Sequence, residues 1–199
     1  VQVNTVDPGN KVVYLTFDDG PGPYTAQLLD VLDKYNVKAT FFVTNTRPDY
    51  RTMIAEEAKR GHTVAIHSAS HVYSQIYQSE DAYFADLEEM NQIIIEQTGQ
   101  GAQIIRFPGG SSNTVSAKYS RGIMSRLVKD VEARGFLYCD WNVSSGDAGS
   151  RPISTQQVVQ NVTEGMQKNN VSIVLQHDIK EFSVNAVEQI IQWGLAEGY

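Results

Sequence analysis

Six apolar, β-branched runs punctuate the chain, at 12–17, 38–43, 63–66, 103–107, 137–143 and 172–176. Between them the apolar residues recur at helical spacing, which predicts helices near 24–35, 50–60, 80–98, 116–134, 154–169 and 183–196. The stretch 80–98 shows the pattern well, with Tyr83, Phe84, Leu87, Met90 and Ile94 on one face and Gly99 placed as a C-cap. Thr25 stands where an N-cap would open the first helix. Alternating strands and helices imply right-handed βαβ units and a parallel sheet. No internal repeat, low-complexity tract or shift in composition divides the chain, so residues 1–199 are expected to form one α/β domain. Six strands are few for a closed barrel. A distorted, incomplete (β/α) barrel fits the pattern better than an open doubly wound sheet.

Composition narrows this further. The chain has 199 residues, 41% hydrophobic and 20% charged, and a domain of that size can bury roughly 70% of its unfolded surface without disulfides. Its single cysteine, Cys139, can form no internal bridge. A formal net charge of −7 argues against a nucleic-acid partner. No run of 18 apolar residues is present to span a membrane, and no signal peptide is legible. The chain opens at Val1 rather than at an initiator methionine, which suggests an excised or processed domain.

The residues able to do chemistry sit where strands exit. Asp18 and Asp19 follow the first strand, His67 and His71 the third, and Arg106 lies near the end of the fourth. Asp147 follows the fifth, and His177 and Asp178 the sixth. In parallel α/β folds those exits share one face, where sites are built. Two adjacent carboxylates about 4 Å apart repel by roughly 4 kcal/mol at an effective dielectric of ~20, so Asp18 and Asp19 need counter-charge unless both are solvated turn residues. Histidines four apart are by themselves more often a structural pair than ligands. With Asp19 added, however, they make three protein ligands for a divalent metal and leave positions open. Asp18 is then free to act as a base on an activated water. His62, at the opposite end of its strand, reads as structural. Asn-x-Ser/Thr triplets at Asn142, Asn161 and Asn170 are expected by chance, and Asn142 falls inside the predicted strand 137–143. The tyrosine-rich stretch 70–84 suits a sugar groove and, at least as well, a helix stripe packed on the barrel.

The segments "TFDDGPGPYT", "HSASH", "RFPGG", "SSGD" and "LQH" occur in the order and spacing of the five motifs of the polysaccharide deacetylases, the family-four carbohydrate esterases or NodB-homology group. The resemblance runs from about Lys11 to His177 and implies a distorted, TIM-like (β/α) barrel that hydrolyses acetyl groups on sugar polymers with one divalent metal. By that resemblance Asp18 matches the base, and Asp19, His67 and His71 match the metal ligands. Arg106 matches the arginine that pairs with the base, and Gly109 the backbone N–H donor to the oxyanion. His177 matches the general acid, Asp147 its orienting partner, and Leu175 the apolar contact to the acetyl methyl. The fourth motif departs from the family's Asp-x-x-Asp-Trp: "SSGDA" supplies Ser144, Asp147 and Ala148, and Trp141 on the preceding strand is not assumed to substitute. The resemblance implies zinc, with cobalt or nickel as alternatives. It implies a polysaccharide partner, peptidoglycan foremost, and an extracellular or cell-surface monomer. Chitin-oligomer deacetylation, acetylxylan ester hydrolysis and a non-catalytic carbohydrate-binding role are the competing readings.

Overall fold

The structure, a computed structural model, describes residues 7–199. Seven strands form one sheet: β1 (Val12–Asp18), β2 (Thr40–Thr44), β3 (Thr63–Ser68), β4 (Ile104–Ile105), β5 (Leu137–Tyr138), β6 (Val143–Ser144) and β7 (Val171–His177). Their order is β5-β4-β3-β2-β1-β7-β6, and every pairing is parallel. The helices are α1 (Thr25–Lys34), α2 (Met53–Lys59), α3 (Tyr73–Ile76), α4 (Glu80–Thr98), α5 (Ile123–Ala133), α6 (Thr155–Gln167), α7 (Glu181–Val184) and α8 (Val187–Ala196). The sheet curls into a half-barrel, the incomplete barrel expected from the strand count.

One expected strand, 137–143, is instead two. Residues 137–138 close one edge of the sheet against β4, and 143–144 close the other against β7, so residues 139–142 bridge the barrel's open side. Cys139 N–H donates to Ile105 O and Asn142 N–H to Ile173 O, which ties the bridge to both edges. Asn142 is not buried in a strand. Its side chain accepts from Ile173 N–H at 2.7 Å and donates to Val171 O at 2.9 Å, standing in for a backbone partner. Three expected helices are also broken. A 3₁₀ turn at 48–50 precedes α2, another at 115–118 precedes α5, and the last helix divides into α7 and α8.

Local chemistry explains the ends. Ser79 Oγ accepts from Ala82 N–H to cap α4, Glu80 and Asp81 favour its positive end, and Gly99 closes it at φ 78°. Thr25, in contrast, is not the cap of α1 but its first residue. Its hydroxyl accepts from Gly22 N–H and donates to Asp178 Oδ2, joining the exit of β1 to the exit of β7. Gly20 makes that junction possible, because a Cβ there would lie 2.2 Å from the Asp178 carboxylate.

Strand alternation sorts the two faces. Leu15, Phe17, Phe41, Val43, Ile66 and Val174 join the core beneath the helices, with Leu28, Leu29 and Leu32 of α1 and the expected stripe of α4. The intervening residues Thr16, Asp18, Phe42, Ala65, Leu175 and His177 face the barrel interior. Register then sets Asp18 directly beside His177 on β7 and Phe42 on β2.

Candidate active site

A cavity of about 380 Å³ opens at the strand-exit end of the half-barrel. Asp18, Asp19, His67, His71, Gly109, Leu175 and His177, all anticipated from the sequence, line it. Tyr73, Trp141, Ala148, Ile179 and Lys180 complete the wall. Arg106 and Asp147 lie behind it, each buried against a lining residue. A larger hollow of about 880 Å³ at the opposite end borders His62, but it gathers no converging set of acids and bases.

How two neighbouring carboxylates reach one cavity follows from the backbone. Asp18 ends β1 facing inward, so an extended Asp19 would face outward. Instead Asp19 adopts φ 76°, and its N–H donates to Phe42 O. His71 is also left-handed, at φ 55°. Such conformations cost a non-glycine residue on the order of 1 kcal/mol or more, and they cluster where function requires a particular side-chain direction.

Asp19 Oδ1 lies 3.3 Å from His67 Nε2 and 3.3 Å from His71 Nε2. It is buried with no hydrogen-bond partner. His67 Nδ1 is 2.7 Å from Arg106 O, which places a ring proton there and turns Nε2, the atom that ligates a cation once deprotonated, toward Asp19. The three donor atoms lie within 4.8 Å of one another. Two ligands ~2.05 Å from a tetrahedral centre stand about 3.3 Å apart, so one orphaned carboxylate oxygen and two imidazole nitrogens fit a divalent cation. Burial works against the charge on Asp19, but His67, His177 and His71 outweigh it and hold the carboxyl well below its usual range. Burial keeps the His71 imidazole below its usual value, toward the neutral, ligating form.

Asp18 is held differently. Its Oδ1 accepts from Arg106 Nη1 at 2.9 Å, and the Arg106 side chain is 0% exposed. The same guanidinium donates to Thr16 Oγ1 at 2.7 Å, Cys139 O at 2.9 Å and Asp140 O at 3.1 Å, and stacks 4.1 Å over Phe42. Arg106 thereby anchors the 139–142 bridge and fixes Asp18 in one act. Together with the histidines around Asp19, it answers the repulsion that the paired aspartates would otherwise suffer.

Across the cavity, Asp147 Oδ1 accepts from His177 Nδ1 at 2.7 Å, while Oδ2 accepts from His177 N–H and from the Ser183 hydroxyl. Burial disfavours the imidazolium, but the bond and charge of Asp147 outweigh it and push His177 up to about 9. His177 Nε2 faces the cavity, 3.8 Å from Asp19 Oδ2. Gly109 sits at φ 81°, a conformation suited to glycine.

Several contributors escaped the sequence reading. Asp86 on α4 accepts from the Ser68 hydroxyl, Ala69 N–H and Ser70 N–H, and Ser68 Oγ in turn accepts from His71 N–H. It sets the turn that leads from His67 at the end of β3 to His71. A carboxylate one residue from Leu87 in an apolar stripe was the signal available for it. Asp140 accepts from Ser111 N–H at 2.9 Å and from the Ser111 hydroxyl, fixing the Gly109 loop, but it was hidden inside the misread strand. Trp141 does reach the cavity, beside Ala148, and its ring packs on Gly110. Of the tyrosines, Tyr73 lines the cavity whereas Tyr77 and Tyr83 are core.

The family profile described as polysaccharide deacetylase matches residues 5–125. A peptidoglycan-N-acetylglucosamine deacetylase from Bacillus cereus is 32% identical over 194 residues, covering 95% of this chain and 67% of the relative. A peptidoglycan-N-acetylglucosamine deacetylase from Listeria monocytogenes is 29% identical, covering 96% and 37%. The chain thus spans about two thirds or less of the curated relatives it matches. Among solved structures, the catalytic domain of peptidoglycan N-acetylglucosamine deacetylase from Eubacterium rectale superposes with a TM-score of 0.98 at 77% identity, covering 100% of this chain and 90% of that one. A Streptococcus mutans family-four esterase superposes at 0.79 with 31% identity, covering 96% and 84%.

Proposed function

The chain belongs to the polysaccharide deacetylase family, a family of metal-dependent hydrolases, and from that premise we propose that it removes acetyl groups from N-acetylglucosamine residues of peptidoglycan. One observation carries the reading. A carboxylate paired with a buried guanidinium and an imidazole paired with a buried carboxylate, on adjacent strands, open onto the same cavity as the Asp19, His67 and His71 trio.

Asp19, His67 and His71 would hold the divalent cation, which we take as zinc among the metals that accept this donor set. Bound there, it supplies Lewis acidity to the water and to the acetyl carbonyl. Asp18, oriented by its hydrogen bond from Arg106, takes a proton from the attacking water. The water oxygen bonds to the carbonyl carbon, and charge collects on the carbonyl oxygen, where the Gly109 N–H donates to it. His177, held protonated by Asp147, gives its proton to the sugar nitrogen as the carbon–nitrogen bond breaks, leaving acetate and a free amine. Leu175 packs against the acetyl methyl. The 199 residues act as one catalytic domain and as a monomer. The enzyme works outside the cell, where its polymer lies.

Acetate release from peptidoglycan, chitin oligomers and acetylxylan, with and without chelator, tests this. Chelator-sensitive release, fastest on peptidoglycan and abolished by Asp18→Asn, is the expected result. Undiminished release by Asp18→Asn, or binding of glycan without turnover by zinc-loaded protein, overturns it.

A further inference from the structure

Two tyrosines on successive turns of the chain reach the loop that carries Gly109, and they do so differently. Tyr77, at the end of α3, is buried, and its hydroxyl donates to Pro108 O at 2.7 Å. Tyr73, the first residue of α3, packs edge-on against the Tyr77 ring at 5.5 Å and beside the His71 ring at 5.7 Å. Its ring is therefore fixed from two sides. Its hydroxyl meets no acceptor among the described residues, and Tyr73 lines the cavity that Gly109, His71 and His177 share. A Cβ placed on Gly109 would lie 2.8 Å from that hydroxyl oxygen. Tyr73 thus occupies the space a side chain at 109 would take, and its O–H stands beside the Gly109 backbone.

We infer that the Tyr73 hydroxyl is a second hydrogen-bond donor to the acetyl carbonyl oxygen, acting with the Gly109 N–H as negative charge develops there. The inference rests on the deacetylase reading above. A phenol suits the task because it donates one directed hydrogen bond while its ring stays packed, so no reorganisation accompanies the reaction. The missing side chain at Gly109 and the hydroxyl arriving from α3 are two halves of one arrangement. Any larger residue at 109 would push Tyr73 away.

Tyr73→Phe removes the donor and keeps the ring. Two readings on wild type and variant test the assignment. Steady-state kinetics on an N-acetylglucosamine oligomer should give a kcat lower by about 100-fold, near the lower end of what one such donor contributes, with KM changed less than about threefold. Calorimetric binding of the same oligomer with its acetamide replaced by a methylphosphonamidate, a stable mimic of the tetrahedral oxyanion, should weaken by a similar factor. A kcat within twofold of wild type, or unchanged affinity for the mimic, would overturn the assignment. If wild type itself released no acetate, the deacetylase reading would fall separately. The mimic's affinity for the two proteins would then still decide the role of Tyr73: weaker binding by the variant supports it and equal binding refutes it.

Discussion

Arg106→Lys keeps a positive charge beneath Asp18 but removes the planar fork that joins four acceptors on two sides. The guanidinium donates to Asp18 and Thr16 through Nη1 and to Cys139 O and Asp140 O through Nε and Nη2. A lysine ammonium is a single point at the end of a flexible stem and can follow only one of those sides. If it stays with Asp18 and Thr16, two carbonyls of the 139–142 bridge lose their donors. A buried acceptor left unpaired costs about 1–3 kcal/mol; these two are part-buried and the Asp140 carbonyl keeps the Cys139 Sγ contact at 3.3 Å, so the variant should be destabilised toward the lower half of roughly 2–6 kcal/mol. For a chain of this size 1 kcal/mol moves the unfolding midpoint by about 2–4 °C, which predicts a fall of roughly 5–20 °C. Thermal unfolding by circular dichroism measures this, and hydrogen exchange locates it: amides 139–142 should exchange faster than those of β1 or β2. A midpoint within 2 °C of wild type, with unchanged exchange across the bridge, would refute the claim that Arg106 holds the barrel's open side together.

The other variants probe separate parts of the account. Asp147→Asn should shift the alkaline limb of the pH profile for kcat to lower pH, because the Asp147 charge is what raises His177 to about 9 against its burial and keeps the acid protonated; an unmoved limb would remove His177 from that role. Asp86→Ala frees the turn between His67 on β3 and His71, and should weaken zinc binding by calorimetry about 10- to 100-fold, whereas a change under twofold would show the turn holding itself. Glu57 on α2 is fully buried with neither carboxylate oxygen hydrogen-bonded, and burial, with the Asp178 charge, raises its pKa well above 4.5. A raised carboxyl pKa favours the folded state below the unfolded value and loses that advantage as pH rises. Glu57→Gln should therefore match wild type below about pH 4 and unfold a few degrees higher at pH 8. Equal midpoints at pH 8 would mean that the charge is accommodated.

The long strands and the helix faces were legible because burial writes a period into the sequence. Leu15 and Phe17 alternate with Thr16 and Asp18, and Tyr83, Phe84, Leu87, Met90 and Ile94 recur at helical spacing. The strand exits were legible for the same reason, since an apolar run that stops at Asp18 or His67 marks where the sheet opens to solvent. "LYCDWNV" misled because an extended bridge and a strand look alike in residue type. What distinguishes them is partners, and those lie on β4 at one end and β7 at the other. Thr25 misled similarly: a hydroxyl before an apolar stripe suits a cap, yet Asp178, 153 positions away, accepts its hydrogen bond. Asp86 and Tyr73 act through loops whose shapes depend on left-handed His71 and Gly109, and no local pattern encodes them.

Anomalous diffraction at the zinc absorption edge, from crystals of protein loaded with one equivalent of zinc, bears most directly on the central claim. The account predicts a single strong peak ~2.0–2.2 Å from a carboxylate oxygen of Asp19, Nε2 of His67 and Nε2 of His71. A cavity without a peak, or a peak bound instead at His62 or at surface carboxylates, would contradict it.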